Sequence, residues 1–111
     1  MKSVSLSAIP QESVSHNPNI QKKVMLTVGD APNLVYFSQA CFKPGQVAGA
    51  HAHTDMSEVF FVETGSGTIY VDGVAHALRS GTCVVVKPGE THELINTGVT
   101  DWVLTYFGIL G

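Results

Sequence analysis

The chain has little positive charge, few cysteines and no long apolar run. Six Lys and Arg stand against nine Asp and Glu in 111 residues, a net charge of −3. The six are scattered, so no basic patch is offered to a phosphate backbone, and nucleic-acid binding is disfavoured. No stretch approaches the roughly 18 apolar residues of a membrane span. The first residues, Met1-Lys2-Ser3-Val4-Ser5-Leu6, lack the apolar centre of a signal peptide. The expectation is a soluble, cytoplasmic protein with no membrane partner. Cys41 and Cys83 have no CxxC spacing, so a local thiolate metal site is not indicated. A disulfide is not expected in a reducing compartment, and both cysteines are expected to be small buried side chains. Also missing is any run at helical spacing of ten or more residues.

What the chain does have is short β-rich runs parted by Gly and Pro. Hydrophobic residues make up 44% of it, enough for the core of one domain. Residues 1–22 are polar and weakly patterned, with Pro10 and Asn17-Pro18, and are expected to form an extended N-terminal arm. The domain proper is placed at 23–111. Its expected strands are Val24 to Val28, Leu34 to Phe42, Glu58 to Thr64, Thr68 to Val71, Val74 to Leu78, Cys83 to Val86, His92 to Asn96 and Trp102 to Phe107. Asp72-Gly73 is a two-residue hairpin signal. Many short strands at such spacing indicate an all-β sandwich or barrel.

The chemistry lies in His51, His53, Glu58 and His92. Residues i and i+2 of a strand point the same way, roughly 6.7 Å apart along the backbone, so two imidazoles can lean toward one ion. Glu58, five residues after His53, joins them only if residues 54–57 turn or bulge. His92 comes from a distant segment, Pro88-Gly89-Glu90-Thr91-His92. Nitrogen and carboxylate donors together suit a divalent transition metal.

The spacing is similar to that of the cupin family. Its first motif is matched by Gly45, His51, His53, Glu58 and Gly65, and its second by Gly81, Gly89, His92 and Asn96. Lys87 stands where the second motif usually has Pro, and Pro88 follows one place later. The resemblance implies a double-stranded β-helix, or jelly-roll barrel. It implies His51, His53, Glu58 and His92 as ligands of one divalent ion per subunit, whether Fe, Mn, Ni, Zn, Co or Cu. It further implies a small-molecule ligand or substrate and a homodimer.

Alternation fills in the surroundings. Phe60 and Leu94 share the metal face, and Trp102, Leu104 and Tyr106 share one face of the last strand. Phe42 and Tyr36 are candidates for the mouth. Tyr106 is the one candidate for general acid/base work. His16 and His76 are expected at the surface. Lys43, Arg79 and Lys87 sit near turns, so no cation is expected to hold a ligand with several anionic groups. Val59 and Phe61 point away from the metal face, which predicts burial against a second layer or subunit. Three functions fit: an oxygen-using, dioxygenase-like oxidoreductase acting on a small, partly apolar molecule; a non-redox isomerase, lyase or hydrolase; or a binding or sensory module.

Overall fold

The computed structural model describes residues 1–111. A single short 3-10 turn, Leu6–Ala8, precedes ten strands. These are β1 (Glu12–Val14), β2 (Asn17–Thr27), β3 (Leu34–Phe42), β4 (Val47–His51), β5 (Met56–Thr64), β6 (Ser66–Val71), β7 (Val74–Arg79), β8 (Cys83–Val86), β9 (His92–Ile95) and β10 (Trp102–Leu110). They form a six-stranded sheet in the order β1-β2-β3-β10-β5-β8 and a four-stranded sheet in the order β4-β9-β6-β7. Every pairing is antiparallel. The architecture is the expected all-β double-stranded β-helix.

Period-two alternation decides which face each strand buries. On β5, Met56, Glu58, Phe60 and Val62 are buried, while Phe61 and Glu63 are exposed. On β10, Trp102 and Leu104 are fully buried. The core between the sheets joins these to Phe42, Ile69, Leu78, Val86 and Leu94. Each fully buried large apolar side chain contributes about 1.5–3 kcal/mol. Trp102 meets Phe42 edge to face at 5.2 Å and lies flat over Gly67, where an added Cβ would fall 2.6 Å from the indole. Glycine is therefore required there by close approach.

Turn chemistry sets the register. Asp72 and Gly73 have φ of 48° and 81°, the two positive angles of a type I′ hairpin, and they join β6 to β7 as expected. Two Pro-Gly turns have one construction. Gln46 N–H donates to the Lys43 carbonyl and Glu90 N–H to the Lys87 carbonyl, with Gly45 at φ 84° and Gly89 at φ 85°. This is the type II pattern with Pro at its second position, so Pro88 one place after Lys87 fits the turn.

The N-terminal segment is part of the sheet. The boundary drawn between residues 22 and 23 falls inside β2, and Ile20 is 0% exposed in the core. Asn17 Nδ2 donates to the Val47 carbonyl at 2.9 Å, and Gln46 Nε2 to the Asn19 carbonyl at 3.0 Å. These bonds tie β2 to the first strand of the other sheet. The sequence hid this because Asn17-Pro18-Asn19 carries turn residues where tertiary pairing imposes a strand. Cys83 is exposed and Cys41 half-buried, which corrects the expectation of two buried cysteines. Both face outward on the six-stranded sheet, where no second layer of this chain covers them.

Candidate metal centre

The cluster is assembled from three strands and one loop. β4 ends at His51 and β5 begins at Met56, so the chain leaves strand geometry between His53 and Glu58, as the odd offset requires. His51 and His92 are direct cross-strand partners of β4 and β9, and their rings lie 4.2 Å apart between centroids. His53 sits just past the end of β4, and its carbonyl accepts the Gly89 N–H at 2.7 Å. The turn before His92 thus positions His53. Glu58 points inward from β5 and is 5% exposed.

The donor atoms of His51, His53, Glu58 and His92 lie within 4.8 Å of one another. Two donors sharing an ion at about 2.1 Å can be at most roughly 4.2 Å apart, so the cluster is close to that scale. His92 Nε2 is 3.0 Å from Glu58 Oε1, and His53 Nε2 is 3.5 Å from the same oxygen. His53 Nε2 is buried with no hydrogen-bond partner. A buried ring nitrogen without a partner, facing a carboxylate and two more imidazoles, fits a cation.

Backbone carbonyls orient two of the rings. His51 Nδ1 meets the Gly49 carbonyl at 2.8 Å, and His92 Nδ1 meets the Glu90 carbonyl at 3.2 Å. With Nδ1–H donating, each ring turns Nε2 toward the cluster, the arrangement usual for metal-binding imidazoles. Burial, then the nearby His92, pushes the pKa of His51 down, which favours the neutral form a metal needs. Burial works against charge on His92, but its bonds to Glu58 and to the Glu90 carbonyl outweigh that and raise its pKa. Burial likewise opposes ionisation of Glu58. Its bonds from His92 and Tyr36 prevail, so its pKa is lowered and the carboxylate stays ionised.

Tyr36 does more than line a mouth. Its hydroxyl donates to Glu58 Oε2, fixing the second carboxylate oxygen while the first faces His53 and His92. Tyr106 meets Tyr36 edge to face at 5.7 Å and stacks on Phe60 at 5.6 Å. Burial first, and then the charge of Glu58, pushes both phenols above their ordinary range. Tyr106 therefore remains a hydrogen-bond donor at neutral pH and is a poor base.

Above the cluster opens a cavity. Tyr36, Phe42, Phe60, Leu94, Leu104 and Tyr106 line it. Trp102, expected beside them, lies at the end of β10 away from the cavity, sealed in the core against Phe42 and Gly67. His16 is exposed, as expected, yet it borders the cavity and stacks on His51 at 3.7 Å between centroids. One other expectation is corrected. Lys22 also lines the cavity, so a cation is placed to meet a ligand. Neither had a local signal, because both depend on where β1 and β2 pair. His76 is exposed, as expected.

Comparison with known proteins agrees with this architecture. Residues 38–107 match the family described as Cupin domain. A curated relative, the oxalate-binding protein of Thermotoga maritima, is 29% identical over 65 residues, covering 59% of this chain and 54% of that protein. The chain thus spans about half the length of the curated relative it matches. A crystal structure from Thermotoga maritima, described as a predicted oxalate decarboxylase, superposes with a TM-score of 0.88 at 23% identity, covering 99% of this chain and 100% of that one. The cupin domain of Schizosaccharomyces pombe Cnp3 superposes with a TM-score of 0.83 at 12% identity, over 98% of this chain and 74% of that one. The fold, the two glycine-framed motifs and the family match over most of its length agree: this chain belongs to the cupin family.

Proposed function

We propose that His51, His53, Glu58 and His92 hold one divalent transition metal and that the protein is a metal-dependent, oxygen-using oxidoreductase acting on a small organic molecule. The observation that carries the metal is the His53 nitrogen, buried and unpartnered beside the Glu58 carboxylate. When bound, the ion would supply Lewis acidity and, if redox-active, electrons. Three imidazoles and one carboxylate leave a dication with net positive charge, which favours an oxygen-donor ligand. Phe42, Phe60, Leu94 and Leu104 exclude water on the cavity side and suit a partly apolar substrate. Tyr36 holds Glu58 in place, and Tyr106 offers a hydrogen bond to whatever lies above the cluster.

A second reading is non-redox turnover, or plain binding, of a small carboxylate such as oxalate. The names of the two Thermotoga maritima proteins favour it, as does Tyr106, a cavity-lining phenol that stays protonated. Elemental analysis of protein purified without added metal, followed by oxygen uptake over a substrate panel that includes oxalate, separates the two. Iron or manganese with substrate-dependent oxygen uptake supports the first reading. Zinc with no oxygen uptake, or unaltered recovery of oxalate, supports the second, and no metal at all rejects both.

The outer face of the six-stranded sheet supports a proposed assembly. Leu26, Phe37, Phe107, Val59 and Val85 are successive cross-strand neighbours on that face. Phe61 and Val85 are 43% and 53% exposed. A continuous apolar row of this kind suits a docking surface, and a homodimer formed through it is part of the proposal.

A further inference from the structure

The cavity wall carries a lysine that the four-residue cluster does not use. Lys22 lies on β2 directly opposite Ala40 of β3. Ala40 is buried and, like Lys22, lines the cavity. Cross-strand partners share a face, so the lysine side chain runs along the cavity wall. Its ammonium has no partner in the chain. The ion pairs involve Lys2, Lys43, His53 and His92, and the lysine side chains that donate hydrogen bonds are Lys2 and Lys23. Glu12 is the β1 neighbour of Lys22 but is exposed and forms no ion pair with it.

Lys22 is half-buried along the cavity wall and its ammonium is unpaired, so it is placed to meet an anion that enters the cavity. Charge sets what that anion is. A dication offset by Glu58, together with Lys22, leaves about two positive charges in the cavity when the imidazoles are neutral. A small dianion neutralises them. A phosphate group would call for several converging donors or a guanidinium fork; here a single point charge faces phenols and aliphatic side chains, which fits a carboxylate.

We propose that Lys22 determines ligand specificity: it pairs with one carboxylate of a short dicarboxylic acid whose other carboxylate sits in the His51, His53, Glu58 and His92 cluster. This rests on the reading of that cluster as a metal centre and deepens it by naming the ligand class. Lys22 lies outside residues 38–107, the part that matches the family. The shared barrel supplies the cluster, and this chain's N-terminal hairpin supplies the selectivity.

The test is calorimetric binding of oxalate, malonate and succinate, each against its own monoamide, to protein loaded with Co(II). Each pair keeps one carboxylate for the cluster and changes only the second end. Wild type is expected to prefer at least one diacid over its monoamide by about tenfold, the scale of one hydrogen bond to a charged group. Lys22→Gln is expected to abolish that preference and Lys22→Arg to retain it, both with unchanged Co(II) affinity. A diacid preference that survives Lys22→Gln, or one absent from wild type, overturns the inference while leaving the metal centre standing. Failure of wild type to bind Co(II) saturably removes the metal reading, and this inference with it.

Discussion

Tyr36 and Glu58 show how one side chain prepares another for its role. Left alone, a buried carboxylate would tend to protonate. The bonds from Tyr36 and His92 hold it ionised, and they also fix which oxygen faces the imidazoles. Groups that orient metal ligands are typically worth about 10–100-fold in metal affinity. Tyr36→Phe is therefore expected to weaken metal binding about tenfold without unfolding the protein, measured by competition with a chromophoric chelator. An affinity equal to wild type would show that the hydroxyl does not set the carboxylate's position. The four clustered donor residues were legible in the sequence because their motif spacing is specific. The role of Tyr36 was not, since nothing local to β3 says that it faces Glu58 on β5. Those strands are separated in the sheet by β10.

At the level of elements, strands and turns were well marked where local chemistry and tertiary pairing agree. Leu34 to Phe42 and Cys83 to Val86 fall where the apolar runs put them, and Asp72-Gly73 forms the hairpin its two positive φ angles require. Agreement failed at the N-terminus, where β1 and the first half of β2 are polar and gain their order from neighbours. Asn96 illustrates a motif residue with a structural task. It is buried, and its Nδ2 donates to the carbonyls of Phe42 and Thr100 at 2.9 Å each, pinning the end of β3 and the turn before β10. The glycine beneath Trp102 is equally structural. Gly67→Ala drives a Cβ into the indole ring and is expected to cost about 1–3 kcal/mol, the usual scale of overpacking. Gly49→Ala, where an added Cβ meets nothing within 4 Å, is the matched control. Urea denaturation of the two variants checks this, and equal midpoints would contradict it.

For the whole molecule, the outer face of the six-stranded sheet is the feature that the isolated chain leaves exposed. Burying the row from Leu26 to Val85 against a second copy would remove apolar surface from water and cover the face where Phe61 and Cys83 are exposed. Sedimentation should give the mass of two chains for wild type. Phe107→Lys, at the centre of that row, is expected to shift the protein to monomer with the metal cluster intact. A wild-type monomer, or a dimer indifferent to the change, would point to another interface. The sequence by itself determined the strand alternation, the turns and the four donor residues, because each is written in short-range spacing and residue chemistry. Only the tertiary structure decided that Trp102 belongs to the core, that Tyr36 holds Glu58, and that His16 and Lys22 line the cavity. Those outcomes depend on which strand lies beside which, and at what register, and pairing between distant segments leaves no local pattern to read.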